Sequence, residues 1–138
     1  MEIMIKHKVT GEVIYSQEVG MLCDDADFKF CVERAVAEGV DLSYADLSEY
    51  DLSCADLTGA NLSYAYLKGS NLSYTDLSYS NLSGAYLSEA DLSEADLSYA
   101  DLTDSYLLHA DLSYSYLRHA KMEGAYVLPA QLELAYKR

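Results

Sequence analysis

Three histidines and three cysteines are the side chains of this 138-residue chain best suited to metal binding or catalysis. Their spacing assigns them to neither. His109 and His119 lie ten residues apart, half of the 20-residue coil derived below, so they fall on opposite faces and cannot share a metal. His7 stands far off, near the N-terminus. Cys23, Cys31 and Cys54 show no metal-ligand or CxxC spacing, the pattern of reduced thiols in a cytosolic protein. Ser and Asp recur throughout, so any Ser–His–Asp set picked from them carries no information. The sequence holds no Walker loop and no dinucleotide fingerprint. The expectation is a non-catalytic protein with no metal and no cofactor.

Charge and aromatic content carry more. Against 23 Asp and Glu stand 9 Lys and Arg, a net charge of −14. Such an excess argues against direct binding of nucleic acid through phosphates and against an anionic membrane surface. No uncharged apolar run approaches the roughly 18 residues of a membrane span, and the N-terminus lacks a signal-peptide core. A cytoplasmic location is expected. Tyrosine is abundant, with 14 residues.

The element that positions these side chains is a repeat of five. From Leu42 to Leu132 an apolar centre returns every fifth residue, and 17 of the 19 centres are Leu, with Met122 and Val127 the exceptions. Two residues before 17 of the 19 centres sits a small side chain: 12 are Ala, four are Ser and one is Thr75. Asp or Asn mostly precedes the centre, and Ser or Thr follows it in 13 cases. In a helix, five residues rotate about 140° beyond a full turn, so the Leu residues would circle the axis. In a straight strand every fifth side chain changes face. The Leu residues share one core only if the chain turns a corner after each pentad. Four corners of about 90° close a coil of 20 residues, and coils stack at about 4.8 Å. The repeat region then makes about 4.75 coils, or roughly 23 Å of all-β solenoid.

The unit Ala-(Asp/Asn)-Leu-(Ser/Thr)-X resembles the pentapeptide-repeat family over about residues 40–135. That resemblance implies a right-handed quadrilateral β-helix. Tyr50 departs by filling a small-residue position, so either the first coil is distorted or that ring escapes outward. Pro129 and the weak centres Met122 and Val127 mark a repeat that fades towards its C-terminal end.

Residues 1–39 read as an N-terminal cap and 40–138 as the β-helix. A solenoid must cover its terminal coil, whose apolar stack and backbone groups are otherwise open. Two short strands, over 3–8 and 12–16, form a hairpin 3–16 around Thr10-Gly11. Asp24 or Asp25 caps a helix over about 25–38 that Gly39 stops. Phe28, Cys31, Val32, Ala35 and Val36 give that helix one apolar stripe. No comparable lid follows Leu132, Leu134 and Tyr136. In the family a C-terminal end commonly serves as a dimer contact, so end-to-end self-association is expected.

Residues 20 apart stack on one face, which sorts the outward positions. One column holds Asp56, Asp76, Asp96 and Tyr116, and a second holds Asp51, Asn71, Asp91 and Asp111 with Glu94 at a corner. A third holds Asp41, Asn61, Asn81 and Asp101. The fourth runs from Asp46 to Tyr66, Tyr86, Tyr106 and Tyr126, a ladder of rings. Like charges one coil apart repel by about 0.9 kcal/mol in water, so stability alone does not select acidic columns. The resemblance offers one account: pentapeptide-repeat proteins associated with quinolone resistance imitate DNA and bind DNA gyrase or topoisomerase IV. On that reading Asp51, Asp56, Asp76, Asp91, Asp96 and Asp111 are the mimic surface. The plainer account is that Asp or Asn before Leu serves backbone hydrogen bonding and solubility. Leu108 and Leu128 flank the tyrosine ladder where Ser is usual, so Tyr106, Leu108, Tyr126 and Leu128 form an exposed apolar patch. The favoured expectation is a protein-interaction or scaffold module using this patch, with Tyr66, Tyr86 and Leu134. The DNA mimic is the alternative.

Overall fold

The structure is a computed structural model that describes residues 2–18 and 25–136. Cys23 and Asp24 lie outside the described residues. The N-terminal part holds strand β1 (Glu2–Lys6), strand β2 (Val13–Glu18) and helix α1 (Asp25–Ala37). β1 and β2 pair antiparallel, from Glu2 against Glu18 to Lys6 against Val13, with a register shift between Ile5 and Lys6. β1 ends two residues short of its sequence expectation because the chain there turns to the first coil. His7 bridges Ala45, the Lys8 N–H donates to Tyr44 O at 2.8 Å, and the Asp46 N–H donates to Lys6 O at 2.8 Å.

Phe28, Cys31, Val32 and Ala35 of α1 are buried in one cluster with Ile5 and the first repeat leucines. Gly39, at φ 73°, ends the helix. Its N–H donates to Val36 O and that of Val40 to Ala35 O, both at 2.9 Å, the paired bonds of a Schellman motif. Side chains of α1 also reach backbone groups of the repeat. Lys29 Nζ donates to Ser53 O at 3.0 Å, and Glu33 Oε1 accepts the Asp56 N–H at 2.9 Å. The Tyr50 ring points outward and stacks on Phe28, centroids 3.6 Å apart.

Parallel bridges then join residue n to n+20 in four columns. Asp46, Tyr66, Tyr86, Tyr106 and Tyr126 form one column, and Asp51, Asn71, Asp91 and Asp111 the next. Asp56, Asp76, Asp96, Tyr116 and Tyr136 form the third, and Asn61, Asn81, Asp101 and Lys121 the fourth. At Leu42 and at every repeat leucine from Leu52 to Leu117 the corner is a β-turn in which the Leu carbonyl accepts an N–H three residues on, as from Ala45 to Leu42 at 3.1 Å. The turn's third residue is left-handed, with φ between 56° and 65° at thirteen non-glycine residues. Left-handed backbone costs a residue with a side chain about 1–2 kcal/mol. The neighbouring coil holds it there: the N–H of Tyr64, for example, donates to Ser83 O at 2.9 Å.

Every repeat leucine from Leu42 to Leu117 is at most 7% exposed, with alanines and small polar residues packed between them. Met122, Val127 and Leu132 are only half-buried against this core. At position 129 the pattern requires a left-handed residue, and proline, fixed near −65°, cannot supply one. The chain enters a 3-10 turn over Pro129–Leu132 instead. Gln131 replaces the missing backbone there. Its Nε2 donates to Leu107 O at 2.6 Å and Ala110 O at 3.0 Å, while its Oε1 accepts the Leu128 N–H at 2.8 Å.

Candidate interaction surface

The acidic residues named from the sequence stand in two neighbouring columns, as the 20-residue stacking requires. Each has a local task. Oδ1 of Asp51, Asp76, Asp91, Asp96 and Asp111 accepts the N–H two residues on at 2.9 Å, and that of Asp56 does so at 3.1 Å. The hydroxyls of Thr58, Ser78 and Ser93 add bonds of 2.6–2.7 Å. Asn61, Asn71 and Asn81 make the same backbone bond through an amide oxygen at 3.0–3.2 Å, so the bond does not need the charge. The hydroxyls and N–H groups of Ser53 and Thr58 hold the carboxyls of Asp51 and Asp56 below the usual range.

The tyrosine ladder is continuous. Ring centroids are 4.5 Å apart from Tyr66 to Tyr86, 4.9 Å from Tyr86 to Tyr106 and 4.8 Å from Tyr106 to Tyr126, and the last two pairs lie within 3° of parallel. Burial raises the Tyr86 phenol above its ordinary pKa, and the adjacent Tyr66 adds to the shift. At the N-terminal end, Lys8 Nζ lies 5.7 Å from the Tyr66 centroid and 3.0 Å from Asp46 Oδ2. Exposure grows towards the other end, from half-buried Tyr66 and Tyr86 to 38% at Tyr106 and 52% at Tyr126. Leu108 and Leu128, beside the last two rings, are 40% and 51% exposed. Leu134 is also exposed, on the terminal coil.

Sorting only the position before each leucine missed further ring stacks at the corners. His7, Tyr44 and Tyr64 stack at successive centroid distances of 5.2 Å. That stack ends over Gly84, where a Cβ would collide with the Tyr64 ring. Tyr79 stacks on Tyr99 at 4.9 Å, and His119 lies 4.9 Å beyond, tilted by 32°. Tyr74 donates its hydroxyl to Glu94 Oε1 at 2.9 Å. The 20-residue spacing of Tyr44 with Tyr64 and of Tyr79 with Tyr99 was visible in the sequence. His7 was not, because its place depends on how the hairpin meets the first coil.

A model of pentapeptide repeats matches eight copies over residues 51–88 and 85–124. The chain belongs to the pentapeptide-repeat family. Pentapeptide-repeat proteins fold as right-handed β-helices, and they are in general non-catalytic repeat modules. Among solved structures, the chain is similar to a pentapeptide repeat protein from the thylakoid lumen of Arabidopsis thaliana, at 35% identity and a TM-score of 0.60. That match covers 62% of this chain and 59% of the other. A pentapeptide repeat protein from the cyanobacterium Cyanothece 51142 is 36% identical over 61% of this chain and 57% of its own, with a TM-score of 0.40. One from Nostoc Pcc 7120 is 42% identical over 54% and 62%, with a TM-score of 0.34. This pentapeptide-repeat chain thus spans about three fifths of the length of these relatives. No curated protein matches it. Among the described residues no helix is long and apolar enough to cross a membrane.

Proposed function

We propose that this pentapeptide-repeat protein is a non-catalytic interaction or scaffold module, in which the hairpin and α1 cap a square β-helix of about 4.75 coils. It binds a protein partner through Tyr106, Leu108, Tyr126 and Leu128. One observation carries this reading: four large apolar side chains, each 38–52% exposed, sit in register on two successive coils. Aromatic and aliphatic side chains on a rigid frame lose little entropy when a partner covers them. Tyr66 and Tyr86, stacked behind, stiffen the strip. The acidic columns support DNA mimicry less well, because turn bonds that Asn makes equally account for an acceptor at those positions.

Affinity capture from a lysate of the native host tests the reading. The expected partner stays bound at high salt and is lost when Tyr106, Leu108, Tyr126 and Leu128 are all replaced by Ser. Folding of that variant is checked by circular dichroism. Binding that instead fails at high salt, with salt-sensitive inhibition of DNA gyrase supercoiling that disappears on replacing Asp56, Asp76 and Asp96 by Asn, would establish the mimic. Self-association through the exposed Leu134 end would show as a dimer mass in light scattering that Leu134→Asp abolishes.

A further inference from the structure

Rings on the coils nearest the cap are closed on their cap side by other parts of the chain. His7 stacks on Tyr44 with centroids 5.2 Å apart, Phe28 stacks on Tyr50 at 3.6 Å, and Lys8 Nζ lies 5.7 Å from the Tyr66 centroid. The Tyr79–Tyr99 stack begins without such a cover. Its two rings lie 4.9 Å apart and within 1° of parallel, at the corner between the Asp76 and Asn81 columns. One coil nearer the cap, that corner carries Gly59. The Gly59 N–H donates to Ser78 O at 2.9 Å as the Tyr79 N–H donates to Ser98 O at 3.0 Å, so Gly59, Tyr79 and Tyr99 are successive rungs.

Corner side chains lean over the rung that follows. Glu49 occupies the space a Cβ on Gly69 would need, Tyr64 that of Gly84 and Asp104 that of Gly124. Glycine at 59 sends nothing over Tyr79, and among the described residues nothing lies within 4 Å of where its Cβ would stand. Tyr79 keeps one face on Tyr99 and leaves the other uncovered. It is the most exposed tyrosine among the described residues, at 64%. Gly59 also borders a cavity of about 250 Å³ beside the end of α1, with Val36, Gly39, Val40 and Ala60 in its wall. Cavities that hold a whole small molecule start at about 300 Å³, so the space by Gly59 suits one side chain.

We propose that the gap at Gly59 seats an aromatic side chain of a partner protein, whose ring stacks on the uncovered face of Tyr79. The molecule itself sets the precedent, since His7 and Phe28 are rings from the cap that close Tyr44 and Tyr50 in this way. Two rings attract when offset and about 4.5–7 Å apart, and the rigid coil orients Tyr79 before any partner arrives. A gap one coil deep admits a single ring, because the rung repeat is about 4.8 Å. The seat stands away from the column that holds Tyr106 and Tyr126, so it is a second contact, independent of the Tyr/Leu strip.

The test uses N-acetylphenylalanine amide as the probe and N-acetylcyclohexylalanine amide, close in shape but without a π-face, as the control. Tyrosine ring resonances and the Gly59 amide of the full chain are followed by NMR, with Tyr79 assigned through Tyr79→Phe. The expected result is a saturable shift at Tyr79 and Gly59 with the aromatic probe, none with the control, and no movement of Tyr44, which His7 covers. Gly59→Tyr, which fills the gap with the chain's own ring, should abolish the shift at Tyr79. That variant keeps the fold, because Tyr44, Tyr64 and Tyr99 already take the same left-handed corner at φ 56–60°, and circular dichroism checks it. An equal response to the cyclohexyl control, equal shifts over all tyrosines, no shift at Tyr79, or a shift that survives Gly59→Tyr would overturn the proposal.

Discussion

Leu77→Ala gives the sharpest test of the packing argument. Leu77 is fully buried, and its column neighbours Leu57 and Leu97 are fully buried as well. Coils are held together by backbone bonds on both sides of it, including the Leu77 N–H to Asp96 O at 2.8 Å. The surrounding wall therefore cannot collapse inward to refill the lost volume. Truncation should cost about 2–5 kcal/mol, the range for a buried Leu that leaves a cavity. For 138 residues, unfolding entropy of about 2.1 cal/mol/K per residue makes each kcal/mol worth about 3.5 °C, so Tm should fall by about 7–17 °C. Val127→Ala, at the half-buried end of the same core, should cost only about 1 kcal/mol. Urea titration and thermal melts followed by circular dichroism read both. Equal losses at the two sites, or less than about 1 kcal/mol at Leu77, would refute the idea of a rigid, uniformly filled central core.

Other expectations follow from single contacts. Glu33→Ala should destabilise by about 1 kcal/mol in urea titration, by leaving the Asp56 N–H without its acceptor, whereas Glu33→Gln should retain most of the stability. Gly59→Ala meets only the left-handed backbone cost, about 1 kcal/mol, since nothing lies within 4 Å of a Cβ there. Gly84→Ala should lose about 0.5–1.5 kcal/mol more by pushing Tyr64 off Tyr44, an excess that vanishes in a Tyr64→Ala background. Asp51 and Asp56 are held below the ordinary carboxylate range when folded, so their contribution is complete above the unfolded pKa and is lost as pH falls through the depressed values. Asp51→Asn with Asp56→Asn, which keeps an acceptor and removes the titration, should flatten the fall in Tm between about pH 5 and pH 2. An unchanged acid slope would show that these two carboxyls do not carry it.

The repeat was legible because it is redundant. A period of five forces a corner per pentad, and any one pentad can fail, as at Tyr50, without hiding the rest. The two acidic columns and the Tyr66–Tyr126 ladder followed from counting in twenties. Helix α1 was legible from its stripe and from Gly39, each a local signal. The left-handed corners at residues such as Tyr44, Cys54 and Tyr99 were not, because those side chains ordinarily disfavour that backbone. Interlocking bonds from the next coil impose it on them.

By itself the sequence determined the inward leucines, the stacking partner of the residue before each leucine, and Pro129 as a departure from the pattern. Such features depend only on periodicity and on what one residue's backbone can do. The tertiary structure decided which side chains close the open backbone edges. Lys29 and Glu33 meet the first coil from a helix, Gln131 reaches carbonyls 21 and 24 residues back, and Lys8 settles over a ring far along the chain. These contacts have no period. They arise where an unpaired donor, carbonyl or ring face at the end of the stack comes within reach of a polar side chain, and that reach is set by three-dimensional packing alone.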